Sequence, residues 1–211
     1  MAATFISWIF HLDAHLATLA SQHGVWIYLI LFSIIFVETG LVIMPILPGD
    51  SLLFASGALA AVGILDLPST IGVLVMAAVL GDAANYAVGA YVRRRAVSTQ
   101  NIPLLKPRHL ELTREFFGRH GRKTIILARF VPIVRTFAPF VAAVGEMPYR
   151  VFAWYNVAGA GVWVIAVAGA GYTFGNIPWI KNNLTAVLLG VVVLSALPGI
   201  VPWLAGKRRS L

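Results

Sequence analysis

Residues 151–180 run for 30 positions without one Asp, Glu, Lys or Arg. That exceeds the roughly 20 apolar residues a helix needs to cross a bilayer, so the run reads as a full span and a short loop. Two further runs have the same character. Leu67 to Val92 is apolar apart from Asp82, and Leu184 to Ala205 is uncharged and ends on Lys207, Arg208 and Arg209. The chain is 59% hydrophobic and 11% charged, against about 25% charged in a soluble domain. A core of this size cannot absorb so much apolar surface, so lipid must cover the rest. The expected fold class is all-α integral membrane.

The segments between the spans are broken. Residues 1–24 carry His11, Asp13, His15 and His23 among short apolar turns and read as an interfacial segment. Gly24 to Met44 holds one charge, Glu38, before Pro45, Pro48 and Gly49 interrupt it and Asp50 follows. Leu52 to Leu65 is uncharged but 14 residues long, about 21 Å as a helix against a core of about 30 Å. Residues 25–65 therefore read as a re-entrant hairpin, with a full crossing of 25–44 as the alternative. Residues 124–145 repeat the theme: Arg129 and Arg135 sit in apolar sequence cut by Pro132 and Pro139. Each arm reaches only about 15 Å, so this too reads as a hairpin. The pattern of amphipathic segment, broken charged hairpin and Gly-rich span occurs over 1–92 and again over 108–174. An odd number of crossings between the copies would invert the second, as in many secondary transporters.

Charge outside the spans sets the orientation. The formal net charge is +8, with a pI near 10.3. Loop 93–123 carries nine Lys and Arg, and within it Arg108 to His120 is a candidate surface helix with Glu115 and Arg119 as an i,i+4 pair. This loop and the tail 206–211 are separated by two spans, so both are expected in the cytoplasm, with 174–183 outside. The side of the N-terminus stays open. Basicity in such a chain is a topology signal rather than a sign of nucleic acid. The absence of cysteine excludes disulfides and thiolate metal sites. No basic region precedes the first apolar stretch, so residues 1–211 are read as the mature chain.

An ionisable residue facing lipid costs at least about 2.5–3.5 kcal/mol. Glu38, Asp50, Asp82, Arg129 and Arg135 therefore need partners or a wet cavity. The two hairpins supply opposite signs, Glu38 and Asp50 from the first, Arg129 and Arg135 from the second. Arginine remains charged and offers a planar fork of donors suited to phosphate or carboxylate. A carboxylate balanced between desolvation and an arginine neighbour can load and release a proton. The plain alternative is a set of structural ion pairs locking the hairpins together. Asp82, beside Asn85 and Tyr86, fits a supporting role and equally a helix–helix hydrogen bond. Gly159, Gly161, Gly169 and Gly171 read as packing faces. All five histidines lie outside the strongly apolar segments, which argues against an intramembrane metal site, an intramembrane histidine proton relay or a phosphoryl-transfer enzyme.

Phe36-Val37-Glu38, then Pro45 and Leu47-Pro48-Gly49-Asp50-Ser51-Leu52-Leu53-Phe54, resembles the first signature of the DedA family of bacterial inner-membrane proteins, also called the VTT or SNARE-associated domain. Lys123 with Ala128-Arg129-Phe130-Val131-Pro132-Ile133-Val134-Arg135-Thr136-Phe137-Ala138-Pro139 resembles the second. Gly81-Asp82 with Asn85-Tyr86, and Trp163 with Gly171-Tyr172-Thr173-Phe174-Gly175, resemble the flanking spans, so the likeness covers roughly residues 25–205. It implies a multi-pass inner-membrane protein whose essential positions are Glu38, Asp50, Arg129 and Arg135. It also implies proton-motive-force-dependent transport, in some members of undecaprenyl phosphate, while eukaryotic relatives scramble phospholipids. The expectation is a proton-coupled flippase for an anionic lipid, with Glu38 and Asp50 exchanging protons and Arg129 and Arg135 holding phosphate. Asp82, Asn85, Tyr86, Pro48, Gly49, Pro132, Thr136 and Pro139 would support that site. The alternatives are a proton-coupled antiporter of small cations or drugs, and a scaffold without transport. No cofactor, metal, nucleic acid or enzymatic step is expected; membrane lipids and protons are the expected partners, and a homo-oligomer is compatible.

Overall fold

The computed structural model describes the backbone of residues 12–41, 49–94 and 107–178, and the side chains of 24–41, 49–94, 111–115, 117–131 and 134–178. The expected span 184–205, the tail 206–211, Pro45 and Pro48 lie outside the described residues. All described elements are helices: α1 (Leu12–Gly40), α2 (Gly49–Ala61), α3 (Leu67–Arg94), α4 (Pro107–His120), α5 (Thr124–Leu127), α6 (Pro132–Val144) and α7 (Tyr149–Gly175), with 3₁₀ turns at Gly121–Lys123 and Ala128–Phe130. Of these, α3 and α7 are long and apolar enough to cross a membrane.

The helix ends follow local chemistry. Asp66 accepts the Ser69 amide at 2.9 Å, capping α3 at its N-terminus. The Ser69 hydroxyl and amide hold the Asp66 carboxyl below its usual range. The residue before a proline is pushed out of the helical region, and Val131 is extended (φ −119°, ψ 102°), so the chain breaks between the 3₁₀ turn and α6 where Pro132 stands. The second proline behaves otherwise. Pro139 was expected to interrupt this segment, yet α6 continues through it. An internal proline forfeits one backbone bond, here offset by burial of Phe137, Ala138, Phe140 and Ala143 on the same helix. The boundary expected at residue 24 is also no break, since α1 runs continuously from Leu12 to Gly40.

The chain divides into two compact units. One comprises Met1–Leu31, Pro48–Val73 and Ile165–Leu211; the other comprises Phe32–Leu47 and Leu74–Val164. In the first, α2 and the end of α7 touch backbone to backbone. A Cβ built on Gly57 would stand 1.9 Å from the Ala168 carbonyl oxygen, and one on Gly171 would stand 2.0 Å from that of Phe54. The Phe54 and Phe174 rings lie 6.3 Å apart beside this seam, and Tyr28 Oη accepts the Asp66 amide at 3.0 Å.

In the second unit, small residues on α3 admit its neighbours. A Cβ on Gly81 would stand 1.9 Å from Thr39 Oγ1, and one on Gly89 would stand 2.6 Å from the Phe140 carbonyl oxygen. Tyr86, Ile125, Ala128, Val134, Ala138, Ala142, Ala143 and Phe152 form the apolar core. Tyr86 stacks on Phe152 at 4.5 Å and its hydroxyl donates to the Met147 carbonyl, which fixes the turn between α6 and α7. On α4, Arg119 and Glu115 form the expected surface pair at 2.5 Å.

Candidate functional site

Four charged side chains meet in the interior of the second unit. Arg135, on the first turns of α6, donates from Nη2 to Glu38 Oε1 at 2.6 Å. Arg129, on the 3₁₀ turn before the break, donates from Nη2 to Asp82 Oδ2 at 2.5 Å. All four are buried, the arginine side chains at 2% and 7% exposure. Burying one charge unpaired is prohibitive, whereas two opposite pairs cancel. The cluster therefore carries no net charge with both carboxylates ionised.

Neutral groups complete it. Asn156 of α7 accepts from Arg129 Nη2 at 2.6 Å and donates to the Val79 carbonyl at 3.0 Å. Asn85 Nδ2 donates to the Thr39 carbonyl at 3.2 Å and the Thr136 carbonyl at 2.9 Å, tying the segment that carries Glu38 to the one that carries Arg135. The Trp163 ring has the Arg135 guanidinium carbon 4.3 Å from its centre and that of Arg129 at 5.7 Å. An indole face attracts a cation, so one buried ring serves both. Gly159 gives Arg129 room: a Cβ there would stand 3.2 Å from Arg129 Nε.

Hydrogen-bond capacity is left over. Arg129 Nε and Nη1 and Asn85 Oδ1 are buried without a hydrogen-bond partner. A guanidinium has five donor hydrogens in a fixed fork, and only one nitrogen of Arg129 is in use. Desolvated donors of this kind cost free energy unless something fills them.

Four of the five stranded charges thus come together, but not in the pairing that the two hairpins suggested. Glu38 finds Arg135, whereas the partner of Arg129 is Asp82. Asp50 lies on the first turn of α2 in the other unit, where it is exposed, and Gly49 beside it is buried. Tyr86 belongs to the apolar core; Thr136 contributes its carbonyl. Pro132 opens α6 and Pro139 lies inside it. Asn156 is the residue that charge counting overlooks, although an amide in an uncharged span carries a smaller version of the same desolvation penalty.

The comparisons with known proteins agree with the signature residues. The family model described as the VTT domain matches residues 47–173. The chain is 51% identical over 207 residues to "Protein DedA" of Escherichia coli strain K12, covering 97% of this chain and 94% of that protein. It belongs to the DedA family. Among other relatives, an uncharacterized membrane protein of Mycobacterium leprae is 39% identical over 175 residues, 83% of this chain and 78% of its own. "Inner membrane protein YghB" of E. coli K12 is 33% identical over 179 residues, 84% and 82% of the two chains. No solved structure matches this DedA-family chain. With α3 and α7 long and apolar enough to cross a membrane and relatives described as inner membrane proteins, the chain is a membrane protein of this family.

Proposed function

We propose that the chain is a proton-coupled carrier for an anionic lipid headgroup, a polyprenyl phosphate such as undecaprenyl phosphate or a phospholipid, in the inner membrane. One observation carries the reading: Arg129 is buried, charged and half unused, with Nε and Nη1 free of hydrogen bonds. Planar donors kept dry beside a second guanidinium suit an oxoanion. Because the cluster is neutral as it stands, admitting an anion alone would leave a net buried charge. Admitting it together with a proton on a carboxylate would not. Coupling to proton movement follows from that balance.

In this reading the break at Val131 separates the arms of a re-entrant hairpin, the segment around Glu38 and Asp50 forms its inverted counterpart, and loop 93–123 faces the cytoplasm. No enzymatic step is proposed. The antiporter of small cations or drugs is the competing reading, and it is less well supported because Glu38 and Asp82 are both engaged by guanidinium.

Reconstitution with labelled undecaprenyl phosphate is the direct test. Movement is expected with an imposed pH gradient and should fall towards background without one. Absence of movement in both conditions, with folded protein, would remove the lipid reading. Arg135→Lys separates the two proposals. It keeps the charge but loses the planar fork, so anion carriage should drop by about tenfold or more. Transport unchanged by that substitution would favour a site that needs only positive charge.

A further inference from the structure

The manner in which Arg129 is held points to exchange of ligands rather than a fixed lock. A guanidinium offers an oxoanion two bidentate edges, Nε with Nη2 and Nη1 with Nη2. Nη2 belongs to both edges, and it donates to both Asp82 and Asn156. Each edge therefore has one donor in use and one idle. A carboxylate held through a single nitrogen, beside idle donors on the same guanidinium, is a weak competitor for an oxoanion that can use a whole edge.

We propose that Asp82 is the coupling carboxylate: an entering oxoanionic head takes the Arg129 donors from it, and the released Asp82 takes up a proton. The proposal rests on the anion-carrier reading above. The balance is simple. Carboxylate plus proton gives carboxylic acid, with no bond broken except hydrogen bonds. The cluster begins neutral with two guanidiniums and two carboxylates, and it returns to neutral after gaining one negative headgroup charge and one proton. The groups facing Asp82 fit this exchange. Arg129 comes from the 3₁₀ turn before the break, and Arg135 from α6 lies within electrostatic reach. Arg135 is itself paired to Glu38 from α1, and α7 contributes the neutral Asn156 and Trp163, which meet the two arginines. Asn85, one turn along α3 from Asp82, holds the α1 and α6 backbones together, which braces the Glu38–Arg135 pair, whereas the idle donors belong to the guanidinium that holds Asp82. The idle donors at Arg129 are filled when the headgroup arrives, which removes their desolvation cost in the loaded state.

The test uses the purified full chain, wild type and Asp82→Asn, with farnesyl monophosphate as the probe. Binding is followed by calorimetry across neutral pH, and proton uptake by a dye in weak buffer. The probe's own titration is common to both proteins and cancels in the comparison. Wild type should take up one more proton per molecule bound than Asp82→Asn. Its affinity should weaken with rising pH by about tenfold per unit more steeply. At the alkaline end Asp82→Asn should bind at least as tightly as wild type, because the competitor is gone. Equal uptake and equal slopes in the two proteins would place the proton elsewhere and overturn the assignment. So would folded Asp82→Asn that no longer binds while wild type does, since Asp82 would then hold the substrate rather than compete with it. Failure of wild type to bind would remove the anion-carrier reading and this inference together. Should Asp82→Asn not fold, infrared difference spectroscopy decides: a protonated-carboxyl band should appear on binding to wild type and shift in Asp82→Glu, and an unshifted band overturns the proposal.

Discussion

Removing either member of the Glu38–Arg135 pair alone is expected to cost about 3–5 kcal/mol of stability, while removing both together should cost much less than the sum. The reason lies in the burial of both partners, at 6% and 7% side-chain exposure with 2.6 Å between them. Glu38→Ala leaves a guanidinium in a dry interior with an indole face 4.3 Å away and no counter-charge of its own. Arg135→Ala leaves a carboxylate there instead. The double variant removes both desolvation costs at once. Transport should follow a different rule and be lost in Arg135→Ala and in the double variant alike, because an anion site needs the guanidinium whether or not the fold survives without it. Thermal unfolding in detergent, read beside vesicle transport, separates the two. A double variant that recovers stability and also transports would mean that this pair is architectural.

The sequence made the number and kind of stranded charges plain, because each one breaks an apolar run and its cost is computable without a structure. It also located the two long helices to within about a turn: α3 and α7 cover two of the three runs that composition marks as spans. The amphipathic surface helix was legible from its i,i+4 pair, and the break before α6 from Pro132. Partner choice was not legible. Asp82 and Asp50 are equivalent in a list of acidic residues, and only the close approach of the α3 segment to the 3₁₀ turn selects Asp82 for Arg129. Asn156 was invisible for a related reason. An amide announces itself through what it bonds, and its bonds reach to Val79 and Arg129 across the fold. Pro139 shows the reverse case, a strong local signal overridden by packing.

These outcomes share a cause: local chemistry writes where a helix can start, stop or carry a charge, while contact between helices decides what each charge is for. The unit that holds the four charges is built around that distinction. Backbone breaks place Arg129 and Arg135 on separate pieces, and small residues on α3 bring the α1 and α6 segments close enough for Asn85 to bridge them. The glycines of α7 put the same point to a sharper test, since the sequence offers them all alike as packing faces.

Gly171→Ala is expected to cost at least about 3 kcal/mol and to deplete folded protein, whereas Gly169→Ala, two residues away, should be neutral or gain up to about 1 kcal/mol. A Cβ on Gly171 would stand 2.0 Å from the Phe54 carbonyl oxygen and 2.8 Å from its carbon, all rigid backbone of α2. The helices would have to separate, and the matching contact of Gly57 with the Ala168 carbonyl would open with them. On Gly169 the same methyl meets nothing within 4 Å, and the same is true of Gly161. There alanine only improves helix propensity. Gly57→Ala should behave like Gly171→Ala, because its Cβ falls 1.9 Å from the Ala168 oxygen. The comparison needs only expression level and melting temperature in detergent. Equal effects at Gly169 and Gly171 would mean that the α2–α7 seam is looser than these distances. A loss at Gly57 and Gly171 that spares Gly161 and Gly169 would establish that the close-approach glycines, Gly175 with its Cβ position 2.8 Å from Ala58 Cα among them, hold this seam by being absent side chains, and that the others on α7 serve only where a neighbour comes as close.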